Sequence, residues 1–213
     1  MTMPPKLVIF DCDGVLVDSE AIANAVLHDI LARHGAPLTL AQSEAEFTGK
    51  NRYAITAYMD SHGLSLPANW SDEFYDRSIA ELSKHCQPIP HIQSALDALV
   101  AANIPFCVAS NGIHPKMNAT LTKTGLLPYF AGKMYSGYDV PNGKPAPDLF
   151  LHAAAQNQTD PADCVVIEDS ASGCAAAAAA NMPCLVYTPK PADPPHGAIP
   201  FASMADLPKL LNL

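Results

Sequence analysis

Asp11 and Asp13 stand two residues apart, directly after the apolar run Leu7-Val8-Ile9-Phe10. The arrangement recurs: Ser110 and Asn111 follow Phe106-Cys107-Val108-Ala109, and Glu168 and Asp169 follow Cys164-Val165-Val166-Ile167. Asp, Ser and Asn are common turn formers, and one such cluster would need no other explanation. Three at the ends of apolar runs point to a shared site, because ligands of open parallel sheets bind outside the carboxyl ends of the strands. Carboxylates gathered in one crevice repel one another, and a divalent cation relieves that repulsion. Oxygen donors without His or Cys favour Mg2+ over Zn2+.

The elements that must position these residues are legible in the hydrophobic pattern. Each apolar run, with Cys184-Leu185-Val186-Tyr187 as a fourth, reads as a fully buried strand. Ile92, Ala95, Leu96, Leu99 and Val100 repeat with the spacing of a helix that buries one stripe. Strands alternating with such helices imply a parallel sheet with helices on both faces. Residues 19–87 differ: they hold helical patterns at Ala21 to His34, Asn51 to His62 and Phe74 to His85, with no comparable buried strand. This stretch reads as an inserted α-helical cap domain over the strand ends. Residues 1–18 and 88–213 then form the core, with Pro88 and Pro90 marking the return because proline disfavours helix. Ala175 to Ala180 reads as a short helix, with Gly173 before it and Asn181 after it.

Composition bounds the function. The 213 residues are 49% hydrophobic and 15% charged, so a core can form, and the net charge of −9 argues against nucleic acid or an anionic membrane as partner. No run approaches the ~18 apolar residues of a membrane span, and Leu7 to Phe10 is too short for a signal-peptide core. A cytoplasmic monomer is expected. Six cysteines without a C-x-x-C pair read as buried reduced thiols.

Asp11-Cys12-Asp13-Gly14-Val15-Leu16-Val17-Asp18-Ser19 resembles the D-x-D-G-x-x-x-D-S signature of the haloacid dehalogenase (HAD) superfamily. Ser110-Asn111-Gly112 resembles its second motif, Lys144-Pro145-Ala146-Pro147-Asp148 its third, and Glu168-Asp169-Ser170 with Gly173 its fourth. The cap position is that of the subfamily with β-phosphoglucomutase, phosphoglycolate phosphatase and 6-phosphogluconate phosphatase. Lys116-Met117 and Ser136-Gly137-Tyr138-Asp139 are most similar to the last of these. The resemblance implies a Rossmann-like α/β core and an Mg2+-dependent phosphatase. Asp11 would be the nucleophile forming an aspartyl-phosphate, and Asp13 the general acid and base. Asp11, Asp169, the main-chain carbonyl of Asp13, and Glu168 directly or through water would bind Mg2+. Ser110, Asn111 and Lys144 would hold the phosphoryl oxygens.

Asp13 favours phosphate-ester cleavage over dehalogenation, because a halide leaves without a proton. A sugar-phosphate mutase of the β-phosphoglucomutase type is an alternative, but the histidine of that pattern is replaced here by Ala23. A non-catalytic phosphometabolite-binding protein is another. Gly49, Lys50 and Arg52 resemble the specificity loop of the cap, and the two cations there could face an anionic part of the substrate. The expected partner is a small phosphorylated metabolite, a sugar or sugar-acid phosphate such as 6-phosphogluconate.

Overall fold

The computed structural model describes residues 3–48, 50, 52–189 and 194–213. The chain opens with β1 (Leu7–Phe10) and β2 (Val17–Asp18), then runs through α1 (Glu20–Arg33), α2 (Leu40–Phe47), α3 (Arg52–Ser61) and α4 (Trp70–His85). It returns through β3 (Gln87–Pro88), α5 (Ile92–Ala101), β4 (Phe106–Ser110), α6 (His114–Lys123), α7 (Leu127–Phe130) and β5 (Met134–Ser136). The remainder is α8 (Asp148–Gln156), β6 (Cys164–Glu168), α9 (Ala171–Ala179), β7 (Cys184–Tyr187), β8 (Ile199–Phe201) and α10 (Leu207–Leu210).

Six strands form one parallel sheet in the order β5-β4-β1-β6-β7-β8. Its pleat explains the continuous apolar runs. Val8 and Phe10 enter one core with Val108, Ile167 and residues of α5 and α6. Leu7 and Ile9 enter the other with Cys107, Val166 and residues of α8 and α9. A strand buried on both faces has no solvent side on which to alternate polar residues. All four residues of β1 are 0% exposed, and at ~1.5–3 kcal/mol for each large aliphatic or aromatic side chain this fixes the central strand from both faces. The expected two-faced α/β sheet is present. All six cysteines are buried and free, as expected.

The chain crosses from β1 to β4 and β5 on one side, then to β6, β7 and β8 on the other. The reversal leaves a crevice at the carboxyl ends of β1, β4 and β6, where ligands of such sheets bind. Beside it lies the inserted helical cap. The antiparallel ribbon of β2 and β3, with Val17 opposite Pro88 and Asp18 opposite Gln87, carries the chain out to α1–α4 and back. These helices have their own core of Leu27, Leu31, Phe47, Ile55, Met59 and Trp70, and α4 packs against both α1 and α6.

Candidate active site

Four distant stretches meet in this crevice. Asp11 follows the last residue of β1, Ser110 and Glu168 end β4 and β6, and Lys144 comes from the loop before α8. The Lys144 ammonium donates to Asp11 Oδ1 at 2.5 Å and to Glu168 Oε1 at 2.6 Å, and lies 4.8 Å from the centroid of the Phe150 ring. The lysine is 8% exposed and Glu168 0%. Burial alone would lower the amine's pKa, but the two carboxylates override it and raise it above its ordinary value. The cation is therefore permanent.

Lys144 is held through its main chain. Asn111 accepts from the Lys144 N–H at 2.8 Å and donates to the Lys144 carbonyl at 3.0 Å. A Cβ at Gly137 or Gly143 would come within 2.8 Å or 2.6 Å of Asn111 Oδ1, so both glycines make room for this amide. With its side chain engaged, Asn111 has its main-chain N–H to offer an oxyanion. Ser110 Oγ accepts from the Gly112 N–H at 3.0 Å, which leaves the hydroxyl proton available as a donor.

Glu168 is saturated. Its Oε2 accepts from the main-chain N–H groups of Asp169 and Ser170 and from Ser170 Oγ, all at 2.9 Å. Ser170 in turn caps α9 by accepting from the Gly173 N–H at 3.0 Å. Burial pushes the Glu168 carboxyl up, but Lys144 and these donors outweigh it and hold it below its ordinary value. Gly173 therefore lies inside α9, not ahead of it as the alanine run suggests, and a Cβ there would overlap the Glu168 carboxylate. Gly173→Ala tests this by sign. Helix propensity alone would stabilise by ~0.5–1 kcal/mol, whereas overpacking a buried, fully bonded carboxylate costs ~1–3 kcal/mol. We expect a lower melting temperature and lower activity; a raised melting temperature would mean the cradle has slack.

Asp11, Glu168 and Asp169 each offer an oxygen, and the three lie within 4.8 Å of one another. Burial first, then Glu168 and Asp13, outweigh Lys144 and push Asp11 up to about 7. Burial, then Asp11 and Glu168, push Asp169 up to about 9. Lys144 thus fully supports Glu168 but leaves Asp11 and Asp169 with more negative charge than one ammonium offsets. This all-oxygen, electron-rich set fits a hard divalent cation. Asp11 and Asp169 are its best-placed carboxylates, since both Glu168 oxygens already carry donors. Gly14, at φ +77°, permits the approach: a Cβ there would overlap Asp169 Oδ2.

Asp13 sits at the edge of the cluster, and two donors meet on one of its oxygens. Lys116 Nζ lies 2.8 Å from Oδ1, and Ser19 Oγ donates to the same atom. Ser19 occupies the N-cap of α1 yet makes no side-chain cap, so its hydroxyl serves Asp13 instead. Burial pushes the Asp13 carboxyl up, but Lys116 and Ser19 overcome it and hold it below its ordinary value. Neither partner had an assigned role in the sequence reading. Their shared feature, one residue in the first turn of α6 and one at the N-terminal end of α1, is visible only once both helix starts are placed beside β1.

Among the cap residues, Lys50, just past α2, pairs with Glu46 of that helix at 2.5 Å, and both side chains are exposed. Arg52 donates to the Tyr53 hydroxyl at 3.0 Å, its guanidinium over that ring. Gly49 lies outside the described residues. Cap and core also touch through the hydroxyls of Tyr75 and Tyr138, 3.3 Å apart, a contact with no counterpart among the expected residues.

Comparison with known proteins identifies the family. Residues 5–181 match the family model of the haloacid dehalogenase-like hydrolases. The chain belongs to this family. It is 31% identical over 209 residues to the 6-phosphogluconate phosphatase of Escherichia coli, covering 96% of this chain and 94% of that one. A haloacid dehalogenase-like protein of unknown function from Agrobacterium tumefaciens is 35% identical with a TM-score of 0.82 and 97% of each chain covered. A HAD family hydrolase from Deinococcus radiodurans, solved with bound phosphate and sodium, is 33% identical with a TM-score of 0.77, covering 98% of this chain and 95% of that one. With the family match and the likeness to a phosphatase together, the chain is a phosphoric monoester hydrolase.

Proposed function

We propose that this HAD-like hydrolase cleaves a small sugar or sugar-acid phosphate, of the 6-phosphogluconate kind, through an aspartyl-phosphate on Asp11. The observation that carries this reading is the Lys144 ammonium between Asp11 and Glu168, with Asp169 alongside. An Asp11 oxygen attacks phosphorus, and the bond to the ester oxygen breaks. Asp13, ionised in the free enzyme, takes up a proton as the substrate binds and gives it to that oxygen, then takes one from the water that attacks phosphorus in the second step. That attack breaks the bond to Asp11 and releases inorganic phosphate. Splitting one displacement into two suits a nucleophile fixed in place. Lys144, the Ser110 hydroxyl and the Asn111 main-chain N–H bind the phosphoryl oxygens, and this preorganised charge carries most of the rate in phosphoryl transfer.

Mg2+ held by Asp11, Asp169 and the Asp13 carbonyl, with Glu168 direct or through water, would supply the Lewis-acid charge that lets a carboxylate meet a phosphate dianion. Residues 19–87 act as the cap that closes the site over the core of residues 1–18 and 88–213. From it Arg52, with Gly49 and Lys50, would contact the organic part of the substrate. The likeness to 6-phosphogluconate phosphatase supports a sugar acid, and so does the Arg52 cation. A panel of phosphorylated metabolites assayed with Mg2+ and then with EDTA tests the reading. Phosphate release from sugar or sugar-acid phosphates, lost on chelation, is expected; no turnover on any of them would overturn it.

A further inference from the structure

We infer that Lys116 is a positioning residue for Asp13, fixing one carboxylate oxygen so that the other is presented to the leaving group. This rests on the phosphatase reading above and concerns a residue that reading does not use. Lys116 lies in the first turn of α6, where a cation opposes the helix dipole and is unfavourable. Its side chain is only 13% exposed, and an ion pair taken out of water gains little over an apolar pair of the same size. Neither local helix energetics nor burial accounts for a lysine there.

The geometry does. Lys116 Nζ and Ser19 Oγ converge on Asp13 Oδ1 from the starts of two different helices. Two donors on one oxygen fix the carboxylate plane and direct Oδ2 elsewhere. That oxygen lies toward Gly112: a Cβ built on Gly112 would be 3.7 Å from Asp13 Oδ2, 3.3 Å from Ser110 Oγ and 3.8 Å from Lys116 Cδ. Oδ2 therefore shares a pocket, open because residue 112 has no side chain, with the hydroxyl assigned to the phosphoryl group. An acid that protonates the ester oxygen must stand beside the phosphoryl binding groups, within hydrogen-bond reach of the departing atom. Lys116 reaches Asp13 across 103 residues of sequence and belongs to the core, so it acts whatever the cap recognises.

The test uses the leaving group. An alkoxide needs a proton to depart, whereas a nitrophenolate leaves without one. Wild type, Lys116→Met and Lys116→Arg are each assayed on an alkyl phosphate turned over by the wild type and on p-nitrophenyl phosphate. General-acid catalysis is worth ~10²–10⁴-fold, so misplacing the acid should lower kcat/KM on the alkyl ester by about tenfold or more in Lys116→Met. On the aryl ester kcat/KM, which reports phosphorylation of Asp11 and not the later attack of water, should change by less than about twofold, and Lys116→Arg should recover part of the loss. Both esters are measured on one sample, so any misfolded fraction cancels in their ratio. Equal losses of kcat/KM on the two esters, or no change on either, would overturn the inference. A wild type inactive on every phosphate ester would instead remove the phosphatase reading beneath it.

Discussion

Asp11→Asn should abolish turnover, by ~10⁴-fold or more as for other single nucleophile deletions, and leave the metal-free protein at least as stable as the wild type. The two effects have one cause. Asparagine keeps the volume and the oxygen that accepts from Lys144 at 2.5 Å, but an amide does not displace an alkoxide from phosphorus. The Asp11 carboxyl is pushed up to about 7 by burial and by neighbouring Glu168 and Asp13, so its negative charge is a strain on the fold in the absence of a cation. Removing the charge removes the strain, while Lys144 keeps its bond to Glu168. Phosphate release and scanning calorimetry at pH 8 on the same preparation check both halves. A variant that is inactive because it unfolds earlier would not support a nucleophilic role.

Divalent-cation stabilisation should grow steeply with pH. The carboxyls of Asp11 and Asp169 rise from 3.8 to about 7 and about 9. Between the ordinary and the raised values the native state holds more protons than the unfolded chain, so metal-free stability falls as pH climbs from about 4 to about 9. Asp13 and Glu168, held below their ordinary values, act in the opposite sense, and their contribution is lost only as pH drops below the carboxylate range. A cation competes with the protons on Asp11 and Asp169. Its benefit should be small at pH 5 and largest near pH 9. At one hundred times the dissociation constant, binding adds ~2.7 kcal/mol, or roughly 5–10 °C in melting temperature for a chain of this size. Calorimetric scans with and without MgCl2 at pH 5, 7 and 9 read this directly. An increment that is flat or falls with pH would place the cation elsewhere, and Asp169→Asn should flatten the dependence.

The parts of the fold legible in the sequence are those where burial on both faces erases polar alternation. The runs at Leu7, Phe106, Cys164 and Cys184 became β1, β4, β6 and β7, and their polar ends converge. The unforeseen strands lie at the two edges of the sheet. In β5 the triplet Met134-Tyr135-Ser136 is only partly buried, and β8 contains Pro200, which an edge strand tolerates because one side needs no ladder bond. Helix α2 was also missed, although Thr39 and Gln42 form a reciprocal capping box that spacing alone can flag. Site residues within a recognisable motif were legible. Lys116 and Ser19 were not given roles, because which atom a helix start points at depends on how α1 and α6 pack around β1. The glycines at 14, 137, 143 and 173 show a similar limit: each is needed for the side chain that would otherwise be displaced, and that neighbour is far away in sequence.

Covalent attack by Asp11 is tested most directly by separating the two half-reactions. In Asp13→Asn an aryl phosphate can still phosphorylate Asp11, since its leaving group needs no proton, but the water of the second step has lost its base. Isotopically labelled nitrophenyl phosphate mixed with this variant and quenched in acid should give a burst of about one nitrophenol per enzyme, as expected when an acyl intermediate accumulates. The label should sit on the peptide that carries Asp11 and come off with hydroxylamine. Continued turnover without label, or label on any other residue, would contradict it.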